Sequence, residues 1–450
     1  MAEQRTHKPL VTGSTPVIAT LTSGQIGRIF VFGFVRLSTL SMQTPAPLAS
    51  PFRPVFFIRF SLREGLRLAL GFAVTRLGLL IIGLLANAYF PGLYGPQWER
   101  LPDKPMLDMW LRWDAGFYTS IATYGFNFAV NQTAASDIAF MPLYPAVVRF
   151  VNPVIGCADQ RCTVNSILPC TGRECAIISG VLVSNVALLA SIFLLYDLIR
   201  EQLDAKKAML SAWLLMLAPN SIFFSGVYTE SLFLLLALIT FQALSRHYFA
   251  VAVIAAGLAS LTREVGLALY PALIVYAWNQ TGRARVIQLL AAQIAPLFFF
   301  AYVFGAGAYV GNGMAYFNVN SDVWGVSVGK NAFGSFGPYF PPYETKEFIS
   351  LWGAGPTWFN LAATLIYLLL AIPSFKLNPS FGLFALVAIL IPIASGTLIS
   401  MPRFGAVVFP HYAVAADWAD KPWKTISVLA VCVLMAIFYA VRFVTWRWIA

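Results

Sequence analysis

Asp114 follows Arg112 and Trp113 in a polar loop just after the first long apolar stretch of the chain. A carboxylate held beside a bilayer can take a proton from an alcohol while a lipid-borne donor waits at the membrane surface. Inverting glycosyl transfer needs one such base. A phosphate leaving group departs as an anion, so cationic or donor groups must steady it, and no acid is required there. Asp114 is the candidate base, Asp108 lies on the same loop, and Trp113 and Arg112 flank the site. The bland alternative, a surface aspartate paired with Arg112, stays open from these residues alone.

Three further motifs carry polar chemistry between apolar runs. In Tyr228-Thr229-Glu230-Ser231, Glu230 and Tyr228 suit acceptor binding; equally, Thr229 or Ser231 caps the next helix, with Glu230 in its first turn. In Thr262-Arg263-Glu264, Arg263 either pairs locally with Glu264 or offers its forked donors to a lipid phosphate. In Pro402-Arg403-Phe404, Arg403 has no acidic neighbour, which favours phosphate; Arg112 is a third candidate for that role. Aromatics of the long loop 311–357, Trp324 among them, suit stacking on sugar rings or the lipid interface. Arg76 falls inside the first apolar run, near its inner end, and is read as snorkelling.

These residues need a scaffold, and composition says which. Hydrophobic residues make up 59% of the 450 and charged residues 11%. A soluble domain carries about 25% charged residues, so much of this surface must face lipid. The predicted fold class is all-α, a polytopic membrane protein of about eleven spans, within a range of nine to twelve. The spans are 66–90, 176–198, 209–224, 231–244, 248–261, 265–278, 286–310, 358–373, 381–400, 404–416 and 425–443. The runs are too long and too continuous for a barrel. Residues 1–65 form a basic amino-terminal arm, read as cytoplasmic and partly disordered, and 66–450 the membrane domain. The arm shows no cleaved signal peptide.

With the amino terminus inside, the short loops carrying Arg200, Lys206, Lys207, Arg246, Arg283, Arg285, Lys376, Lys421 and Lys424 fall inside, as the positive-inside rule requires. The loops 91–175 and 311–357 then lie outside. This needs 140–153, with Pro142, Pro145, Pro153 and Arg149, to lie in the interface without crossing. Cys157, Cys162, Cys170 and Cys175 are disulfide candidates in the first outer loop. Free thiols and zinc, the latter at the loose edge of its spacings, are the alternatives. The net charge of +11 reflects inner loops, and nucleic acid is excluded as a partner. No phosphate-binding glycine loop, dinucleotide fingerprint or metalloprotease motif appears, so no cofactor and no metal is implied. The missing nucleotide motif favours a lipid-phosphate donor.

Arg112-Trp113-Asp114-Ala115, then Phe140-Met141-Pro142-Leu143-Tyr144-Pro145, Pro219-Asn220-Ser221 with Tyr228-Thr229-Glu230-Ser231, Thr262-Arg263-x-x-Gly266, and Pro402-Arg403-Phe404 occur in an order that resembles the PIG-V mannosyltransferase family. The resemblance covers roughly 66–443, and the Phe-x-Pro-Leu-Tyr-Pro form is similar to bacterial members. It implies a GT-C fold and a polyprenyl- or dolichyl-phosphate sugar donor, usually of mannose. It also implies a glycan or glycolipid acceptor, with Asp114 at the family's acidic position. Glu230, Arg263 and Arg403 match further motif positions. The cysteine insert, the basic arm and Glu264 depart from the family pattern. The implied location is a bacterial plasma membrane, or the endoplasmic reticulum membrane in a eukaryotic host. A transporter or flippase for lipid-linked sugars is the alternative, and a lipid-binding scaffold subunit a third reading.

Overall fold

The computed structural model describes residues 60–90, 92–93, 101–127, 137–156, 172–322, 335–336 and 357–448. The arm up to residue 59, Cys157, Cys162, Cys170 and Trp324 lie outside them. Among the described residues the regular elements are helices, and no strand occurs.

Helix α1 (Leu62–Tyr89) starts four residues inside the predicted arm. Ser61 caps it: its Oγ accepts from Glu64 N at 3.3 Å, and Glu64 Oε2 accepts from Ser61 N at 2.6 Å. This reciprocal pair satisfies two backbone donors that a helix start otherwise leaves bare. Leu68, Gly71, Thr75, Leu79, Gly83 and Ala86 are buried, while Leu66, Leu70, Val74, Leu77 and Ile81 are exposed. The helix thus has one packed face and one apolar outer face, as a span at the edge of a bundle requires. Its 28 residues rise about 1.5 Å each, more than a hydrocarbon core of about 30 Å demands.

A single turn α2 (Pro105–Asp108), α3 (Ala115–Tyr124) and α4 (Leu143–Val151) follow. Nine residues of α4 are too few to cross. Tyr144 anchors it by hydrogen bonds to Gly180 O at 3.0 Å and Ser184 Oγ at 2.9 Å, on α5 (Gly172–Gln202). Then come α6 (Ala205–Met216), α7 (Glu230–Ser245), α8 (Phe249–Ser260), a 3-10 turn Glu264–Leu269, α9 (Tyr270–Trp278), α10 (Gly282–Ala292), α11 (Ile294–Tyr309) and α12 (Ala315–Asp322). The last group is α13 (Trp358–Leu377), α14 (Pro379–Ala394), α15 (Met401–Ala406), α16 (Pro410–Trp418) and α17 (Pro422–Val444).

Among the described residues, five stretches are long and apolar enough to cross alone: α1, α5, Gly282–Tyr309, α13 and α17. Several predicted spans are broken. The span 209–224 stops at Met216, because Pro219 cannot donate into a helix. Freed carbonyls find a side chain: Arg76 donates to Ser221 O at 3.1 Å and to Met216 O, and it also donates to the Ser225 hydroxyl. Arg76 therefore does not snorkel; it holds the unwound segment between α6 and α7. The span 404–416 is likewise divided, with Pro410 opening α16. The span 265–278 begins as the 3-10 turn.

The two ends of the bundle differ in kind. At one end Tyr196 and Arg200 of α5 reach Glu64, Arg246 pairs with Asp197, and Lys207 pairs with Asp417 at 2.7 Å. At the other end lie α3, α4, the break before α7, the break after α8, and α15.

Candidate active site

Asp114 occupies the N-cap position of α3 but makes no side-chain cap. Its backbone carbonyl accepts from Phe117 N and Tyr118 N, while its carboxylate, not used as a cap, points elsewhere. It meets Arg403, whose Nη1 stands 2.6 Å from Asp114 Oδ2. The side chain of Asp114 keeps 25% of its surface exposed and that of Arg403 13%.

Arg403 sits on α15, a six-residue helix entered through Ser400 at φ 68°. The left-handed region is uncommon for a residue with a Cβ and marks a tight entry. The Tyr367 hydroxyl donates to Pro402 O at 3.1 Å, and its ring lies on Gly405, where a Cβ would stand 2.0 Å from Tyr367 Cε2. So placed, Arg403 also donates through Nε to Glu230 Oε1. Its guanidinium lies over the rings of Phe223 and Tyr228, at 5.3 and 5.0 Å.

Glu230 opens α7 and is buried. It accepts a second guanidinium, Arg263 Nη1, at 2.6 Å, and Arg263 Nη1 also reaches Thr229 Oγ1 at 3.1 Å. Arg263 precedes the 3-10 turn in extended conformation and stacks on Phe404 at 5.0 Å. Gly266 makes this turn possible: a Cβ there would come within 2.3 Å of Ser260 N. Asp114, Arg403, Glu230 and Arg263 thus form one chain of alternating charge. Glu230 Oε2 and Arg263 Nε have no hydrogen-bond partner among the described residues. Buried polar atoms without partners are rare and invite an explanation.

Burial pushes the Tyr118 and Tyr228 phenols well above the usual tyrosine range, and the Asp114 charge pushes the same way. Both stay protonated donors. Burial alone would lower the Arg403 guanidinium, but Glu230 and Asp114 hold it above its ordinary value.

Several predicted roles change. Arg112 is fully buried and paired with Asp108, Nη1 to Oδ2 at 2.7 Å. It also donates through Nε to Val444 O at 3.0 Å. It braces the loop and is closed to a lipid phosphate. Asp108 serves the same brace, accepting from Leu101 N at 2.9 Å. Tyr228 is buried and donates to Arg112 O at 2.7 Å. Tyr228 and Glu230 therefore shape the arginine cluster and do not present themselves to an acceptor. Arg263 pairs with Glu230, not with neighbouring Glu264. Arg403, unpaired by sequence, holds two carboxylates. Thr229 is the N-cap residue of α7 but gives no side-chain cap, and Ser231 Oγ instead donates to Phe224 O at 2.6 Å. Trp113 adopts φ 51° and packs on Trp446 and Trp448. Cys175 is buried and disulfide-bonded. Among the described residues no cluster of His, Cys, Asp and Glu suits a metal ion. Sequence reasoning did not single out Tyr118, Phe223, Trp446 or Trp448. Tyr118 alone had a local cue, lying four residues after Asp114 on a helical pattern.

A family model described as mannosyltransferase (PIG-V) matches residues 96–315. Over these residues the chain is similar to the PIG-V mannosyltransferase family. The PIG-V segment contains Asp114, Glu230 and Arg263; Arg403 and α17 lie beyond it. No curated protein matches the chain by sequence. Among solved structures, ArnT from Cupriavidus metallidurans bound to undecaprenyl phosphate is similar at 14% identity and TM-score 0.46, over 80% of this chain and 62% of that one. AglB from Archaeoglobus fulgidus, an archaeal oligosaccharyltransferase in complex with an inhibitory peptide and a dolichol-phosphate, gives 12% identity and TM-score 0.41, over 82% and 55%. The S. cerevisiae protein O-mannosyltransferase Pmt1-Pmt2 complex bound to the sugar donor gives 14% and 0.36, over 66% and 39%. The chain spans less than two thirds of the length of each of these three.

Proposed function

We propose that this chain is an integral-membrane inverting glycosyltransferase of GT-C type. It moves a sugar, mannose by family, from a polyprenyl- or dolichyl-phosphate carrier to a glycan or glycolipid hydroxyl. Asp114 takes the proton of the acceptor hydroxyl as its oxygen attacks the anomeric carbon. The bond from that carbon to the phosphate oxygen breaks, and the lipid phosphate leaves with the electron pair. Arg403 and Arg263 receive the growing negative charge, a role for which forked donors in a partly dry site are suited.

The observation that carries this reading is the Asp114–Arg403 pair, a partly exposed carboxylate beside a guanidinium in an otherwise buried network. A phosphate arriving at Arg403 competes with Asp114 for the same donors, so donor binding frees the base. Arg263 Nε, without a partner among the described residues, adds a spare donor. The basic loops lie at the opposite end of the bundle, which supports an extracytoplasmic site. A disulfide at Cys175 fits an oxidising compartment. Five long apolar helices and several shorter ones among the described residues support a multi-pass chain, and the bacterial form of the Phe140–Pro145 motif supports a plasma membrane.

The test is transfer from radiolabelled polyprenyl-phosphate mannose in membranes bearing the wild type or Asp114→Asn. Loss of a general base costs about 10²–10⁴-fold in rate. A variant that inserts and folds normally yet transfers at the wild-type rate removes the mechanism.

A further inference from the structure

The carboxyl end of α17 lies against the loop that carries Asp114, far outside the family-matched segment. Trp113, the residue before Asp114, is in the left-handed region at φ 51°. A bulky side chain holds that conformation only when its surroundings fix it. Two tryptophans after α17 pack on it: Trp113 meets Trp446 edge-on at 5.5 Å and Trp448 at 4.9 Å. Arg112, on the other side of Trp113, lies over the Trp446 ring at 4.8 Å and donates to Val444 O.

The tail is itself tied down. Trp446 takes φ 61°, and Arg442 donates through Nε and Nη2 to Trp448 O at 3.1 and 2.7 Å. Arg447 N donates to Arg442 O at 2.8 Å. One turn earlier, Phe443 packs edge-on against Phe223 and Tyr228, the rings beneath Arg403. One helix end therefore touches both halves of the Asp114–Arg403 pair through intermediates.

We infer that Trp446 and Trp448 are positioning residues for the transfer, setting the direction of the Asp114 carboxylate through Trp113. This rests on Asp114 as the base. Removing either ring lets Trp113 relax toward an ordinary backbone conformation and turns Asp114 away. The chemical step suffers, while the donor still meets Arg263 and Arg403.

The experiment uses the full chain in native membranes, with radiolabelled polyprenyl-phosphate mannose as probe and kcat and KM for that donor measured separately. Trp446→Ala and Trp448→Ala are each expected to lower kcat about tenfold to a hundredfold, in keeping with the cost of misplacing a reacting group by about 1 Å. Donor KM stays near wild type; Trp446→Ala removes a buried ring and lowers the melting temperature, so kcat is taken per folded protein. Trp446→Phe and Trp448→Phe restore most of kcat, because an aromatic edge contact returns. Trp423→Ala, which removes an exposed tryptophan at the opposite end of α17, leaves kcat unchanged. Wild-type kcat in both alanine variants overturns the inference. So does a kcat loss that only tracks loss of folded protein, or one that phenylalanine does not rescue. Asp114→Asn, run alongside, separates the two readings: full activity there removes the base, whereas an inactive Asp114→Asn beside fully active tryptophan variants removes only the clamp.

Discussion

Arg403 reaches Asp114 across 289 residues of chain, with Nη1 2.6 Å from Oδ2, and in the same pose donates to Glu230. One guanidinium thereby ties the candidate base to a buried carboxylate that it would otherwise never meet. The pair fixes where Asp114 points and makes its release depend on what else Arg403 binds.

Arg403→Lys should separate charge from geometry. Lysine keeps the positive charge but has no planar fork to hold two carboxylates and a phosphate. We expect kcat/KM for the lipid-phosphate donor to fall about tenfold or more, with a rise in donor KM. Donor titration in membranes checks this, and an unchanged KM would take phosphate binding away from Arg403.

Glu230→Gln should cost stability first. It leaves two largely buried guanidinium groups, Arg263 and Arg403, with less countercharge. Breaking a buried pair from one side costs about 3–5 kcal/mol. A lower melting temperature in detergent is expected, with partial recovery when Arg263→Gln is added. A double-mutant cycle that gives no coupling would contradict the network.

Gly266→Ala should disrupt the Arg263 turn, because the new methyl group meets the backbone of Ser260 and Ala259. Overpacking of this kind costs about 1–3 kcal/mol and here also moves Arg263. Gly78→Ala on α1 meets nothing within 4 Å and should be neutral or stabilising by up to about 1 kcal/mol. Comparing folded yields of the two variants by size exclusion checks the contrast.

The phenols near Asp114 give a pH prediction. Tyr118 and Tyr228 are pushed upward by burial and by the Asp114 charge. A raised phenol keeps its proton through neutral and mildly alkaline solution, so neither should produce an alkaline limb in kcat below about pH 10, where a free tyrosine titrates. Tyr228→Phe loses the bond to Arg112 O and should cost about 1–2 kcal/mol. A rate profile falling between pH 8 and 9 that disappears in Tyr228→Phe would show the assignment to be wrong.

The reading from sequence reached some features and stopped short of others for definite reasons. Apolar run length made the helical bundle legible, because it is a property of neighbouring residues. The predicted span 209–224 runs through Pro219, and the break was not legible, because unwinding from Leu217 to Thr229 depends on Arg76 of another helix supplying donors. By sequence Arg112 was open to Asp114 or to a lipid phosphate; only packing against Asp108 and Val444 shows where it is held.

What the chain determined by itself is a lipid-embedded set of helices, the acidic residue at 114 and the order of motifs that carries the PIG-V likeness. Those follow from composition and local spacing. Tertiary structure alone decided that Asp114, Arg403, Glu230 and Arg263 are one network, and that the tail after α17 supports Trp113. Ion pairing and ring packing act over a few ångströms in space, and only the folding of the bundle brings residues so distant in sequence within that reach.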